Sequence, residues 1–368
     1  MLRIGRLCAI ISVDVFCPND SDAKASDFLM LYPLKMSPCF RHGAETPWGG
    51  QALGDLFGKA IPDALTGESL EISALSGHES VVANGPLAGR TLGSLVAEYG
   101  ARLTGVQGDF PLLLKLLDAR DMLSVQVHPG DAYAALHENG KRGKTEAWLV
   151  LSCERGARLV YGVNVKSEEE LRAQVQSGRL EEALHWITVQ PGDVLYIPHG
   201  CVHALGGGIV VYEIQQSSDV TYRFWDWNRV GADGQTRALH TEKALDVSRP
   251  ALRLDKLSGA TVLCEGGSRT YYICDGNFEL CRLNVAGDMP LESGRMLLLT
   301  ALGDAEIRWP EGAFTLSAGE SCLIPACAEN VRVCGHAAVM CSSTPDRGAL
   351  KAALGYRAEL VAGLTKEI

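Results

Sequence analysis

The stretch from residue 192 to residue 203 restricts the possible folds more than any other part of the chain. The apolar run Val194–Ile197 lies between a turn at Pro191-Gly-Asp and a second turn at Pro198-His-Gly, and Val202 opens another apolar run. Runs this short, bounded by tight turns, are typical of strands. Several short strands joined by tight turns predict a β-sandwich or a β-barrel.

The same pattern of short apolar runs and tight turns returns between residues 261 and 341, where glycine-rich turns such as Gly266-Gly267 and Gly287-Asp288 separate the runs. We therefore predict two β domains, at residues 30–250 and 251–368. The join follows a helical stretch at 241–247, because Pro250 cannot continue a helix. Further helices are predicted in the N-terminal half near 92–102, from Asp131 as N-cap to Gly140, and at 167–184.

Two polar side chains share one face of a predicted strand. In Val125-Gln-Val-His the valines alternate with Gln126 and His128, and side chains two residues apart point to the same face. Such a pair can bind one ion or molecule between them. Taken alone, however, this pattern more often indicates two side chains that face solvent.

The segment 192–203 matches the second motif of the cupin superfamily, in which the histidine after the Pro-Gly turn, here His203, is a metal ligand. The first cupin motif is present in altered form, with Gln126-x-His128 where His-x-His is commoner. Its acidic residue, Glu146, comes only after the inserted helix. The resemblance implies a mainly β fold of two cupin-like jelly-roll domains, each a β-barrel or a sandwich.

With these two departures and several further motifs in the same order, the chain resembles the short bacterial form of class I mannose-6-phosphate isomerase. The motifs run from about residue 32 to 247 and include Tyr32-Pro-Leu-Lys, Trp48-Gly-Gly, Gly67-Glu-Ser, Lys144-Thr-Glu, Glu213-Ile-Gln-Gln-Ser-Ser-Asp and Thr221-Tyr-Arg. Leu70 stands where the bacterial form usually has tryptophan, and residues 1–29 have no counterpart.

The resemblance implies a site. Its metal ligands fall on Gln126, His128, Glu146 and His203, and one zinc ion per chain is the expected cofactor, with other divalent metals open. The family's catalytic arginine falls on Arg223. The other polar pocket positions correspond to Trp48, Glu68, Lys115, Lys144, Glu213 and Arg229.

The implied reaction interconverts mannose 6-phosphate and fructose 6-phosphate through an enediol, which requires moving a proton between C1 and C2. Glu213 is the first candidate for the proton carrier, with Lys144 or a metal-bound water as rivals. Arg223 would stabilise negative charge on the substrate oxygens. Lys115, Arg223 and Arg229 would hold the phosphate, since the chain has no Gly-x-x-x-x-Gly-Lys loop.

Two other classes are open on such a scaffold. Many cupins are metal-dependent oxidoreductases, but their sites usually carry more histidine, and an amide ligand with nearby cations favours a redox-inert metal and an anionic substrate. A non-catalytic sugar-binding cupin is the second alternative, since a fold does not fix a function.

Charge and cysteine usage limit the partners. A formal net charge of -10 disfavours nucleic acid and anionic membrane surfaces, and no apolar run is long enough for a membrane helix. The 12 cysteines form no Cys-x-x-Cys pair, which fits buried thiols of a cytoplasmic protein. We expect a small sugar phosphate as the partner of a monomer or weak homo-oligomer.

Residues 1–29 are expected to be a poorly ordered extension or an upstream start. Removing them is therefore expected to leave isomerase activity intact, because every motif above lies downstream. The comparison is kcat and thermal stability of the full chain and of a chain starting at Met30. An inactive, misfolded product would show that the extension belongs to the structure.

Overall fold

Strands make up most of the regular structure, as the turn-rich sequence predicts. The computed structural model describes residues 30–231 and 234–364, so the prediction for residues 1–29 lies outside the described residues. The first strands are β1 (Leu34–Ser37), β2 (Cys39–Arg41), β3 (Glu68–Ile72), β4 (Ala74–Leu75), β5 (His78–Glu79), β6 (Val81–Val82), β7 (Leu112–Ala119), β8 (Val125–Val127), β9 (Glu146–Cys153), β10 (Arg158–Val163), β11 (Leu184–Thr188), β12 (Val194–Ile197), β13 (His203–Ala204), β14 (Ile209–Gln216) and β15 (Tyr222–Trp225). The later strands are β16 (Ala260–Cys264), β17 (Gly267–Cys274), β18 (Glu279–Val285), β19 (Gly287–Pro290), β20 (Leu297–Ala301), β21 (Ala305–Trp309), β22 (Gly312–Leu316), β23 (Ser321–Ile324), β24 (Arg332–Gly335) and β25 (Ala338–Ser343).

Helices are short, and all but α8, which follows β25, lie between strands. They are α1 (Ala52–Phe57), α2 (Leu92–Tyr99), α3 (Ala101–Thr104), α4 (Asp131–His137), α5 (Glu168–Gln176), α6 (Leu180–Ala183), α7 (Thr241–Val247) and α8 (Arg347–Leu354), with 3-10 turns at Gly43–Glu45 and Gly355–Leu360. None of the helices in the described part of the chain has the length and apolar character needed to span a bilayer.

Three helix predictions differ in detail. Asp131 is the first residue of α4 rather than its N-cap, which is Gly130, because its carboxylate accepts from Gly143 N at 2.8 Å instead of capping the helix. The helix predicted at 167–184 breaks into α5 and α6, since Gly178 adopts φ 70, a conformation that ends helices. Gly100 similarly separates α2 from α3.

Four open antiparallel sheets stack as two sandwiches. The N-terminal sandwich has a five-stranded sheet in the order β11-β10-β13-β8-β15 and a six-stranded sheet in the order β12-β9-β14-β7-β3-β2. The C-terminal one has an eight-stranded sheet in the order β16-β17-β18-β25-β20-β23-β1-β6 and a four-stranded sheet in the order β19-β24-β21-β22. Within the described ranges no sheet closes into a barrel. The mainly β, cupin-like prediction is confirmed in its sandwich form.

Apolar packing holds these layers together. One cluster, with Trp148 and Tyr161, fills the N-terminal sandwich between its two sheets, and another, with Leu299 and Ile307, fills the C-terminal sandwich. A third cluster joins the six-stranded sheet to the eight-stranded one through residues such as Tyr212. The six-stranded sheet is therefore covered on both faces, which explains why every residue of β7 and β14 is buried.

The boundary at residue 250 stays a prediction. Residues 252–259, between α7 and β16, contain no helix or strand, as a connection would. Two early strands, β1 and β6, nevertheless complete the eight-stranded sheet, with Leu34 of β1 opposite Leu323 of β23. The sequence contains no local signal for this long-range pairing.

Candidate metal centre

The five-stranded sheet aligns three polar side chains in one row. Strand β8 lies between β13 and β15, and its Gln126 is in register with His203 on one side and with Arg223 on the other. Directly opposed residues of antiparallel strands share a face, so these side chains are neighbours. His128, two residues after Gln126, continues the alternation toward the same face.

The turn before β13 fixes where His203 enters this row. Gly200 has φ +83, and a Cβ there would lie 2.7 Å from the Arg249 side chain and 2.9 Å from the Val247 carbonyl oxygen. Only glycine satisfies both conditions. The Gly200 amide donates to the His128 carbonyl oxygen at 2.9 Å, so this turn ties the two histidine segments together.

Glu146 reaches the row from the facing sheet, where it is the first residue of β9. Its Oε2 lies 3.5 Å from His128 Nε2 and its Oε1 lies 3.2 Å from His203 Nε2. Ligand atoms of these three residues all lie within 4.8 Å of one another. Gln126 Nε2 lies 3.3 Å from His203 Nε2, and a half-turn of the amide brings its oxygen, the metal-binding atom, to the same place.

A hydrogen bond at Nδ1 orients each imidazole so that Nε2 faces Glu146. His128 Nδ1 donates to Val220 O and His203 Nδ1 donates to Cys201 O, both at 2.9 Å. A carbonyl oxygen only accepts, so Nδ1 carries the proton and Nε2 presents its lone pair toward Glu146. His128 Nε2 is buried without a hydrogen-bond partner in the described part of the chain. Two imidazole lone pairs and a buried carboxylate that converge on one point fit a divalent metal.

Electrostatics favour the metal-binding forms of these groups. Burial, together with the Lys144 ammonium, lowers the pKa of His128 well below its usual range. Burial alone would raise the pKa of Glu146. The Lys144 charge opposes this effect, and the pKa of Glu146 lies well below its usual range. Lys144 Nζ is 2.7 Å from Glu146 Oε2. Neutral imidazole and ionised carboxylate are the forms that bind metals.

A cavity of about 290 Å³ adjoins this cluster, and both Gln126 and Lys144 line it. Its opposite wall comes from the six-stranded sheet, in which Glu213 of β14 is in register with Lys115 of β7 and with Trp148 of β9. The lining also includes Arg41, Glu45, Trp48, Glu68, Ser218, Asp219, Thr221, Arg223 and Arg237. The cavity is therefore polar, of a size suited to a small molecule, and bordered by the candidate ligand Gln126.

Two carboxylates in the cavity flank one ammonium. Lys115 Nζ lies 3.3 Å from Glu68 Oε2 and 3.4 Å from Glu213 Oε1. Burial and the negative charge of Glu146 raise the pKa of Glu213. Burial also acts on Glu68, but the charges of Lys115 and Arg41 outweigh it and lower the pKa of that carboxyl. Environments that push two carboxyl pKa values apart are typical of acid–base sites.

The chain is similar to known phosphomannose isomerases. Residues 38–146 match the family model of the phosphomannose isomerase type I catalytic domain. The chain is 38% identical over 296 residues to mannose-6-phosphate isomerase ManA of Bacillus subtilis, covering 80% of this chain and 93% of that protein. It is 39% identical over 284 residues to the mannose-6-phosphate isomerase of Streptococcus mutans, covering 76% and 88%. The chain belongs to the type I phosphomannose isomerase family.

Solved structures agree with this membership. The crystal structure of the mannose 6-phosphate isomerase from Bacillus subtilis superposes with a TM-score of 0.79 at 34% identity, covering 85% of this chain and 99% of that one. The apo form of the enzyme from Salmonella typhimurium gives a TM-score of 0.67 at 16% identity, covering 86% and 100%. The second likeness concerns the fold alone. The resemblance to phosphomannose isomerases predicted from the sequence is confirmed.

The cavity gathers most of the predicted site residues of this phosphomannose isomerase family member. Trp48, Glu68, Lys115, Gln126, Lys144, Glu213 and Arg223 line it. Arg229 is not in the lining: its guanidinium lies 3.3 Å from Asp226 Oδ1. The roles of these residues stay predictions.

Arg237, Arg41 and Trp148 are among the lining residues that sequence reasoning missed. Arg237 lines the cavity and donates to Asp226 at 2.6 and 2.7 Å, but nothing in its loop sequence points to the site. Arg41 precedes a turn and has no local signal either. Trp148 could have been found, because it lies two residues after Glu146 in one strand and so shares its face.

Proposed function

We propose that this chain is a metal-dependent aldose–ketose isomerase that interconverts mannose 6-phosphate and fructose 6-phosphate. The observation that carries the proposal is the meeting of His128, Glu146 and His203 within 4.8 Å, beside a cavity lined by Glu213 and Arg223. The relatives named above as mannose-6-phosphate isomerases support this substrate. Two histidines and one carboxylate would also suit an oxygenase iron site, but the Gln126 amide and the cations of the cavity lining favour a redox-inert metal and an anionic substrate.

Gln126, His128, Glu146 and His203 would hold the metal, for which we propose zinc, since nitrogen donors with one carboxylate suit it. When bound, it supplies a Lewis acid that polarises the substrate carbonyl. Lys144 supports the ligand Glu146. Its ammonium lies against Glu146 Oε2 and keeps that carboxylate ionised and oriented. We therefore assign Lys144 a supporting role rather than that of the base.

Glu213 carries the proton between C1 and C2 in this proposal. It is 2% exposed, so a proton it takes from the substrate is shielded from solvent exchange. Its Oε1 is buried without a hydrogen-bond partner among residues 30–231 and 234–364, with the Lys115 ammonium 3.4 Å away, so this oxygen can still accept a proton. Burial and Glu146 raise the pKa of this carboxyl, and a raised pKa brings a carboxylate closer to the value that suits both taking and returning a proton near neutral pH.

Arg223 supplies the stabilising positive charge. Its Nε is buried and has no hydrogen-bond partner in the described part of the chain. Burial lowers the pKa of Arg223, yet a guanidinium stays protonated in proteins. With Lys115, Arg41 and Arg237 it makes the cavity lining rich in cations, as a sugar phosphate requires on a chain of net charge -10. Glu68 orients Lys115, and Trp48 forms an apolar wall.

We further propose a cytoplasmic monomer or weak homo-oligomer with the domain boundary near residue 250. The ten cysteines within the described ranges are all free thiols, which suits a reducing compartment.

A coupled assay tests the function. Conversion of mannose 6-phosphate to fructose 6-phosphate is followed by a linked dehydrogenase reaction, before chelation, after chelation and gel filtration, and after adding back Zn²⁺. We expect activity to disappear on chelation and to return with metal, because chelation removes the Lewis acid that polarises the substrate carbonyl. Metal-free enzyme with full activity, or metal-loaded enzyme without activity, would refute the proposal.

A further inference from the structure

Trp148 contacts both halves of the proposed chemistry. It is 1% exposed, lines the cavity, and lies two residues after the candidate ligand Glu146 in β9. Its ring meets the imidazole of His203 edge-on, with centroids 5.5 Å apart and planes at 76°. Its Nε1 donates to Glu213 Oε2 at 2.7 Å. A single indole thus packs against a candidate metal ligand and holds the proposed proton carrier.

This hydrogen bond distinguishes the two oxygens of Glu213. Oε2 accepts from the indole, whereas Oε1 is buried without a hydrogen-bond partner in the described ranges, and Lys115 Nζ lies 3.4 Å from it. A short hydrogen bond to a charged acceptor fixes geometry as well as adding energy. The carboxylate is therefore held in one rotation, with a defined oxygen left for the substrate.

We propose that Trp148 is a positioning residue that holds Glu213 so that Oε1 transfers the proton, a proposal that rests on the function proposed above. In the step, Oε1 takes the proton from C2 of the open-chain aldose, and the C–H electron pair enters the enediol as O1 gains a proton. Oε1 then returns the proton to C1 as O2 loses one. One proton moves between the carbons and one between the oxygens, so no oxidant or reductant is needed.

A purely structural role for Trp148 makes a different prediction. The ring also belongs to the apolar cluster between the two sheets of the N-terminal sandwich, so its loss can destabilise the fold without any effect through Glu213. The two roles separate in a double-mutant cycle, because residues that act through each other give non-additive losses.

The variant is Trp148→Phe, which keeps an aromatic ring and removes the N–H donor. Trp186→Phe is the matched control, since Trp186 is half-buried in β11 beneath Arg158 and outside the cavity lining. We expect Trp148→Phe to lower kcat about ten- to a hundredfold, the range for hydrogen bonds to charged groups, with KM and bound zinc within about twofold of the unmodified enzyme. Trp186→Phe should match the unmodified enzyme.

The decisive comparison is made in the Glu213→Gln background. Adding Trp148→Phe there should change the residual kcat by less than about twofold, because the carboxylate that the indole holds is already gone. Losses that multiply, or a Trp148→Phe variant with unchanged kcat, would overturn the positioning role. An inactive unmodified enzyme would instead overturn the proposed function, and this inference with it.

Folding is controlled directly. Zinc content and thermal unfolding are measured for each variant, and if Trp148→Phe does not fold, benzothienylalanine is introduced at position 148. This residue keeps the bicyclic shape and replaces N–H by sulfur, so it removes the hydrogen bond with little change in packing. The same kcat criteria then decide.

Discussion

Replacing His128 or His203 by alanine is expected to abolish metal binding and turnover together. Both imidazoles direct Nε2 at Glu146, at 3.5 and 3.2 Å, and each is held by one carbonyl hydrogen bond behind it. Loss of either leaves too few donors to hold the ion in its buried site. We expect bound zinc to fall from about one per chain to near zero, with kcat falling by at least about a thousandfold.

Metal content after dialysis and the coupled assay measure this result. His185→Ala is the matched control, since His185 is exposed and its Nδ1 lies 3.1 Å from Asn164 Oδ1, away from the candidate ligands. Alanine also leaves a buried cavity, so thermal unfolding is recorded with and without chelator. Each variant should unfold near the temperature of the chelated enzyme, because metal bound to the native state stabilises it. Stoichiometric zinc in both variants would refute the ligand assignment.

Local patterns predicted those parts of the fold in which a few neighbouring residues decide the structure. Val194–Ile197 is a strand with the predicted bounds, because a turn stands at each end. The helix predicted at residues 241–247 is likewise present with those bounds. The position of His203 followed from the Pro198-His-Gly200 turn, in which position 200 requires glycine because of its φ of +83 and the contacts that a Cβ would meet there.

Long-range pairing was beyond such patterns. Nothing near Met36 indicates that β1 pairs with β23, almost three hundred residues downstream. Nothing near Arg237 indicates that its loop returns to the cavity. Arg229 was placed in the pocket by resemblance, but Asp226 holds its guanidinium through an ion pair outside the cavity lining. Local sequence determines which face a side chain takes, whereas loop closure determines which cavity it reaches.

Arg223→Ala is expected to fold and bind zinc, yet lose about a hundred- to a thousandfold in kcat. Arg223 is in register with Gln126 on β8, so its guanidinium lies beside the candidate metal ligands but is not one of them. Its buried Nε has no hydrogen-bond partner in the described part of the chain. Within the described residues, removing Arg223 breaks no ion pair, and it deletes a positive charge from the place where negative charge develops on the substrate.

Three measurements separate this role from a structural one. Arg172→Ala is the control, since Arg172 pairs with Glu242 at 2.7 Å on the surface and should give unchanged kcat. Arg223→Lys keeps the charge but not the forked donors, so it should recover only part of the rate. Zinc content should match the unmodified enzyme in all three variants. A kcat near that of the unmodified enzyme in Arg223→Ala would show that charge stabilisation comes from another cation of the same cavity, such as Lys115 or Arg237.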